Sequence, residues 1–302
     1  MPNVFLKEGK NRPGAAIFLS GSGTNVEKLL SHVLSSPDPA YTPKVLVTDR
    51  PKSSRAGEIA GKFSLPLVEH GILDFYRAHG EEKVSLATEK GRMIRDLWTD
   101  ALREKLSPYE IDFGLLAGFV PMSNIVGDFP CLNVHPGDLT ITNEKGERIF
   151  VGLHTVPVEN ALLSGIGYLR SSVIVVKPYS DPGSSVDSGF LLGISGKVPY
   201  DLEGHKLEEL EEISSKRQHP HVHGANKDLL SELARKNQDL LKEKGDWIIY
   251  APIADDFASG LFAYEGDLLY YRKDKNSPYR KIRTIEYTSK GKEIWYDDDD
   301  GK

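Results

Sequence analysis

Short apolar runs alternate with segments of helical periodicity through the first half of this chain, and that alternation limits its fold more than any other feature. Ala15 to Leu19 is apolar, Ser20 to Asn25 is a glycine-rich turn, and Leu29, Leu30 and Val33 then recur at helical spacing. Val45 to Thr48 starts the same cycle again, followed by a basic loop with Arg50, Lys52 and Arg55 and a helix near residues 56–63. Leu65 to Val68 reads as a third short strand. The segment from Glu82 to Leu106 reads as one long amphipathic helix, and Phe113 to Ala117 as a strand. A brief helix is expected after Pro121, then a strand from Cys131 to His135. Such order predicts an α/β fold: a Rossmann-like, mostly parallel twisted sheet with helices on both faces.

Beyond this the pattern loosens. Residues 140–151 read as a hairpin-like excursion with Asn143 to Gly146 at its tip, His154 to Ser164 as a helix, and Ser172–Val176 and Leu191–Ile194 as strands. Residues 203–245 are charge-rich and mostly helical, interrupted near His219, His221 and His223. A β-leaning tail over 266–302 ends in Asp297 to Asp300, a solvated acidic end. The expected organisation is one domain over 1–265, with 203–245 as a helix-rich insertion, and a short C-terminal extension. With 302 residues, 39% hydrophobic, the chain can bury a proper core. A formal net charge of −6 without a long basic run argues against a nucleic-acid partner. One cysteine excludes an intramolecular disulfide. No signal-peptide core and no membrane-length apolar run is present, so a soluble cytoplasmic protein is expected.

Five segments are candidates for chemistry. In Cys131-Leu132-Asn133-Val134-His135-Pro136-Gly137, Asn133 and His135 share one face of an extended strand, and Pro136-Gly137 ends it. Open α/β sheets bind ligands at such carboxyl ends. The alternative is a solvated strand end. Ser20-Gly21-Ser22-Gly23-Thr24-Asn25 offers backbone N–H groups at a helix start, suited to an anion, although Thr24 or Asn25 could simply cap the helix. It is neither the dinucleotide fingerprint nor a P-loop. The apolar loop through Phe119 to Met122 is either core or a wall for a flat heterocycle. Asp187 closes a Gly/Ser loop that often merely shapes a turn. The three histidines at 219, 221 and 223 permit a metal site if extended, but no fourth ligand is evident, and no metal is expected.

Taken in order, these segments resemble the folate-dependent formyltransferases, most closely the glycinamide ribonucleotide branch. Ser20 to Asn25, Leu116 to Val120, Asn133 to Pro136, Gly152 to Thr155 and Asp187 to Gly189 match that family's motifs in sequence order. The resemblance implies the formyltransferase fold and transfer of a formyl group from 10-formyltetrahydrofolate, as co-substrate, to the amine of a phosphorylated small molecule, as in purine biosynthesis. It implies that Asn133 and a protonated His135 stabilise the oxyanion while Asp187 tunes the imidazole and relays a proton. The folate would lie against Phe119, Val120, Pro121, Met122, Asn133 and the loop Gly183, Ser184, Ser185, Val186 and Asp187. The loop Gly21, Ser22, Gly23, Thr24 and Asn25 would take the substrate phosphate. A homodimer is compatible with it.

Departures fall on the acceptor side. An insertion from Gly137 to Phe150 replaces a short run, and Val151 stands where the family has lysine, leaving Arg148 as a candidate cation. Asp246 to Pro252 lacks the family's Glu-His pair near the substrate ribose. Rival readings are a formyltetrahydrofolate hydrolase, a formyltransferase acting on an amino sugar nucleotide or on methionyl-tRNA, and a non-catalytic folate-binding scaffold. From Asp201 onward 22 acidic residues face 17 basic ones, a poor match for RNA.

Overall fold

The computed structural model describes residues 2–7, 9, 12–179, 186–218 and 226–297. Its strands, in chain order, are β1 Asn3–Val4, β2 Gly14–Leu19, β3 Thr42–Thr48, β4 Leu67–Glu69, β5 Phe113–Leu116, β6 Cys131–His135, β7 Tyr168–Leu169, β8 Ser172–Val175, β9 Leu191–Ser195, β10 Val198–Pro199, β11 Phe262–Glu265, β12 Leu268–Tyr271, β13 Arg280–Thr288 and β14 Gly291–Tyr296. The helices are α1 Thr24–Ser35, α2 Ala56–Phe63, α3 Ile72–Ala78, α4 Glu89–Leu106, α5 Val156–Leu163, α6 Leu207–Ser215, α7 Leu229–Leu241 and α8 Trp247–Ala258. Two compact units share the chain. The first comprises 1–133, 175–190 and 253–281; the second comprises 134–174, 191–252 and 282–302.

In the first unit β3 and β5 flank β2, β4 lies outside β3 and β6 outside β5, all parallel. Every residue of β2 is buried, as expected of a strand covered on both faces. α1 buries Leu29, Leu30 and Val33, the positions that the sequence periodicity marked, together with Val26. Phe18, Val47, Tyr76, Ile94, Trp98, Leu102 and Cys131 share one core, each large apolar side chain contributing about 1.5–3 kcal/mol by burial. The chain leaves β2 toward β3 and later returns to β5 on the opposite side. The crevice at the carboxyl ends of β2 and β5 is therefore a topological switch point.

Two expectations need correction here. The helix expected from Glu82 starts at Glu89, because Thr88 is extended and its hydroxyl accepts the Gly91 N–H. A separate helix, α3, precedes it. In the second unit, antiparallel β8 and β9 are joined by β13, parallel to β9, with β14 antiparallel on β13. The excursion over 140–151 closes through an antiparallel bridge between Thr142 and Arg148. α5, α6 and α7 pack around Val158, Leu162, Leu210, Leu230 and Leu233. α5 begins two residues later than expected, since His154 takes a left-handed φ of 57° that a helix excludes.

Candidate active site

At the switch point the glycine loop leads from β2 into α1. Gly23 occupies the N-cap position at φ 67°, and no side chain caps the helix. The capping alternative for Thr24 and Asn25 is thus not realised. A side chain at Gly23 would be strained, and its Cβ would lie 2.3 Å from Ile59 Cδ1. Gly21 and Ser22 are exposed, and a Cβ at Gly21 would meet nothing. α1 therefore presents its N-terminal N–H groups, with their positive dipole end, beside an exposed turn. Arg55 touches this loop directly. Its backbone N–H donates to Gly21 O (3.1 Å) and its guanidinium to Ser22 O (3.1 Å), while Glu27 and Glu58 pair with it. The sequence showed Arg55 only as part of a basic loop.

Ser20 ties the two sides of the crevice together. Its hydroxyl donates to Asp49 Oδ1 (2.5 Å) and accepts the Val120 N–H (2.9 Å); its own N–H donates to Gly118 O (3.1 Å). The Val120–Met122 segment is held from α4 as well. Arg95, buried and lying 5.6 Å from the Tyr76 ring centroid, donates to the Met122 carbonyl, and Thr99 and Ser123 share a hydroxyl contact of 3.1 Å. Val120, Pro121 and Met122 are half-buried, whereas the Phe119 ring turns inward against Phe18 and Trp98. Phe119 thus offers backbone, not its ring, to the crevice. Burial pushes the Asp49 carboxyl above the usual carboxylate range despite the Ser20 hydrogen bond. Asp49 and Arg95 were not singled out in the sequence, since nothing local distinguishes them from surface charges.

Asn133 is half-buried and registers beside Leu116, at the point where β5 runs into this loop. Asp187 belongs to the same unit, 7% exposed in a tight 3-10 turn over Val186–Ser188. Gly183, Ser184 and Ser185 lie outside the described residues, as do His219, His221 and His223; of Val186 only the backbone is described. Among the described residues, no three His, Cys, Asp or Glu side chains cluster as a metal cage.

His135, two residues beyond Asn133 on β6, belongs to the second unit and is 2% exposed. Its Nε2 lies 2.7 Å from the Phe150 carbonyl oxygen. A carbonyl only accepts, so this contact calls for the Nε2–H form of the ring. The 137–150 insertion thereby closes back on the imidazole. A Cβ at Gly137 would sit 2.3 Å from Phe150 O and 2.9 Å from His135 Nε2, so only glycine leaves that bond intact. Arg148 lies on this excursion in the second unit.

No family model and no curated protein matches the sequence. Among solved structures, the phosphoribosylglycinamide formyltransferase of Coxiella burnetii, in complex with CHES, is 16% identical, with 87% of this chain and 95% of that one covered at a TM-score of 0.54. Glycinamide ribonucleotide transformylase 1 of Symbiobacterium toebii is 21% identical, with 86% and 93% covered at 0.52. The phosphoribosylglycinamide formyltransferase of Anaplasma phagocytophilum is 15% identical, with 90% and 97% covered at 0.51. Likeness at this level establishes the mixed, mostly parallel α/β formyltransferase fold. No helix among the described residues is long and apolar enough to cross a membrane.

Proposed function

We propose that the chain transfers a formyl group from 10-formyltetrahydrofolate to the amine of a phosphorylated small molecule, with glycinamide ribonucleotide the acceptor that the structural likeness favours. The observation that carries this reading is the end of β6. There an amide and an imidazole stand two residues apart on one strand, the amide registering beside Leu116 of β5 and the ring nitrogen lying beside the Phe150 carbonyl. The folate supplies an activated formyl carbon when bound. The half-buried Val120–Met122 backbone, clamped by Ser20 and Arg95, fits a flat ring with edges that need hydrogen bonds. The uncapped start of α1 fits a phosphate.

Negative charge develops on the formyl oxygen as the amine attacks, and catalysis requires donors aimed at that oxygen. The Asn133 amide N–H supplies one. His135, protonated at Nδ1, supplies a charged second while Phe150 keeps Nε2 and the ring in place. As the new C–N bond forms, the amine nitrogen must lose a proton, and the departing folate nitrogen must gain one. Asp187 is the carboxylate assigned to relay the proton through water, taking it from the amine and passing it on to the folate nitrogen. No metal enters this scheme.

Incubation with 10-formyltetrahydrofolate and a panel of phosphorylated amines, following tetrahydrofolate release, tests the reading. Amine-dependent release is expected. Release without any amine would replace transfer by hydrolysis, and no release under any condition would overturn the enzymatic assignment. His135→Ala and Asp187→Asn are expected to lower turnover by about 10²–10⁴-fold while folate still binds; wild-type rates in either would refute the assigned roles.

A further inference from the structure

A buried polar cluster in the second unit has no part in the chemistry above. Asp138, three residues after His135, is 5% exposed. Its Oδ1 accepts the Thr140 N–H (3.0 Å) and hydroxyl (2.5 Å). Its Oδ2 lies 3.5 Å from Arg170 Nε, an ion pair between two side chains each 5% exposed. Arg170, immediately after β7, donates from Nη1 to Glu286 on β13 (3.0 Å), and its guanidinium lies 5.4 Å from the ring centroid of Trp295 on β14. Trp295 also packs against the small core formed by Leu139, Ile174, Leu191 and Ile194. Ser172 completes the frame. Its hydroxyl donates to Gly137 O (2.7 Å) and accepts the Leu139 N–H (3.1 Å).

Three consecutive residues after His135-Pro136 are thus fixed from outside their own loop. Burying two charges is rarely the most stabilising choice for a core, and apolar residues of similar volume often do as well. A buried ion pair favours one geometry over others, and here Arg170 is anchored by its Nη1 bond to Glu286 while its buried Nε faces Asp138 as an ion pair without a hydrogen bond. The geometry set here decides where the Gly137 backbone lies, and Gly137 is the residue whose position leaves room for the His135–Phe150 hydrogen bond.

We propose that Arg170 is a positioning residue for His135, held in turn by Glu286 and Trp295 of the C-terminal β13–β14 hairpin. The hairpin is then a working part of the site rather than an appendage. The kinetic consequence rests on the formyl-transfer reading; the effect on the His135 ring does not.

The test combines kinetics with ¹⁵N-histidine NMR on Asp138→Asn, Arg170→Lys and Glu286→Gln, the His135 Nε2–H signal being assigned by its loss in His135→Gln. Wild type should show a downfield, slowly exchanging Nε2–H. Asp138→Asn should weaken or shift it and lower kcat about tenfold or more, with KM for the folate changed less than twofold, since orientation and not binding is lost. Arg170→Lys should retain part of both. Glu286→Gln, at a partly exposed position, should move both in the same direction by less. If Asp138→Asn fails to fold, Glu286→Gln and Trp295→Leu decide the matter by the same readouts. Folded variants with an unchanged Nε2–H signal would overturn the proposal. Absence of any turnover in wild type would overturn the formyl-transfer reading alone, with the NMR arm still deciding the role of Arg170.

Discussion

The glycine loop after β2 and the strand exit after His135 are built on opposite principles. The loop is exposed at Gly21 and Ser22, lacks a side-chain cap, and is bordered by Arg55, which pairs with Glu27 and Glu58. The exit is buried, and Phe150, Ser172 and Asp138 hold it. On the proposed reading, the open helix start takes the acceptor's phosphate. On the same reading, the imidazole must present one nitrogen to a reacting atom and tolerates no such freedom. The contrast is one of construction: the glycine loop is open on its exposed side, whereas the strand exit is held from several directions.

Substitution at one glycine in each region puts that contrast at risk. Gly137→Ala should have the larger effect, because its Cβ would drive into the His135–Phe150 contact. A fall in kcat of about 10²-fold is expected, with the folate KM little changed. A wild-type kcat would show that the exit is not rigid. Gly23→Ala should act on the other arm. Left-handed φ and the Ile59 contact predict a loss of about 1–3 kcal/mol in denaturant unfolding, together with a raised KM for the phosphorylated amine. A change confined to kcat would reverse the comparison.

The smallest effect concerns Asp49, which braces Ser20 between the two sides of the switch point. Its folded-state pKa is raised by burial, so the folded chain holds that proton more tightly than the unfolded one. The Asp49 contribution to stability therefore declines as pH rises from the ordinary carboxylate range through the raised value. Asp49→Asn should increase Tm at pH 7 by about 2–4 °C, the shift that ~1 kcal/mol produces in a domain of this size, and the gain should vanish as pH falls toward ~4. A Tm gain that persists in acid would place the effect elsewhere.

Much of the first unit was legible because its signals are local. β2, β3, α2, β5 and β6 fall within a few residues of the apolar runs that announced them, and α2 matches its expected bounds. The start of α4 was misplaced because a polar stretch before Thr88 continues the helical pattern without forming helix. α8 received no assignment from the sequence, and it carries Pro252 inside it. At the site, Asn133, His135 and the glycine loop were visible as contiguous motifs. Asp138 stood in the same stretch as a carboxylate, but its partner Arg170 and that residue's partner Glu286 did not show, since an ion pair joining residues 116 positions apart leaves no periodicity to read. Phe150 was seen only as the end of an insertion, although its carbonyl lies beside the His135 ring nitrogen.

The interleaving of the two units has a consequence for how the molecule is made. The first unit draws on three separate stretches, and its strand β1 near the start of the chain pairs with β11, Asn3 opposite Tyr264. Neither unit is a contiguous piece that a ribosome could release finished. Completion of each must await nearly the whole polypeptide, and the pairing of β1 with β11 closes one of the longest loops this chain can form. Closing it carries an entropic cost that grows only slowly with loop length but must be met before the contact stabilises anything. During synthesis the apolar strands of the early sheet are already out while their later partners are not, so nascent-chain protection by chaperones bears on the yield of this protein more than on its final stability.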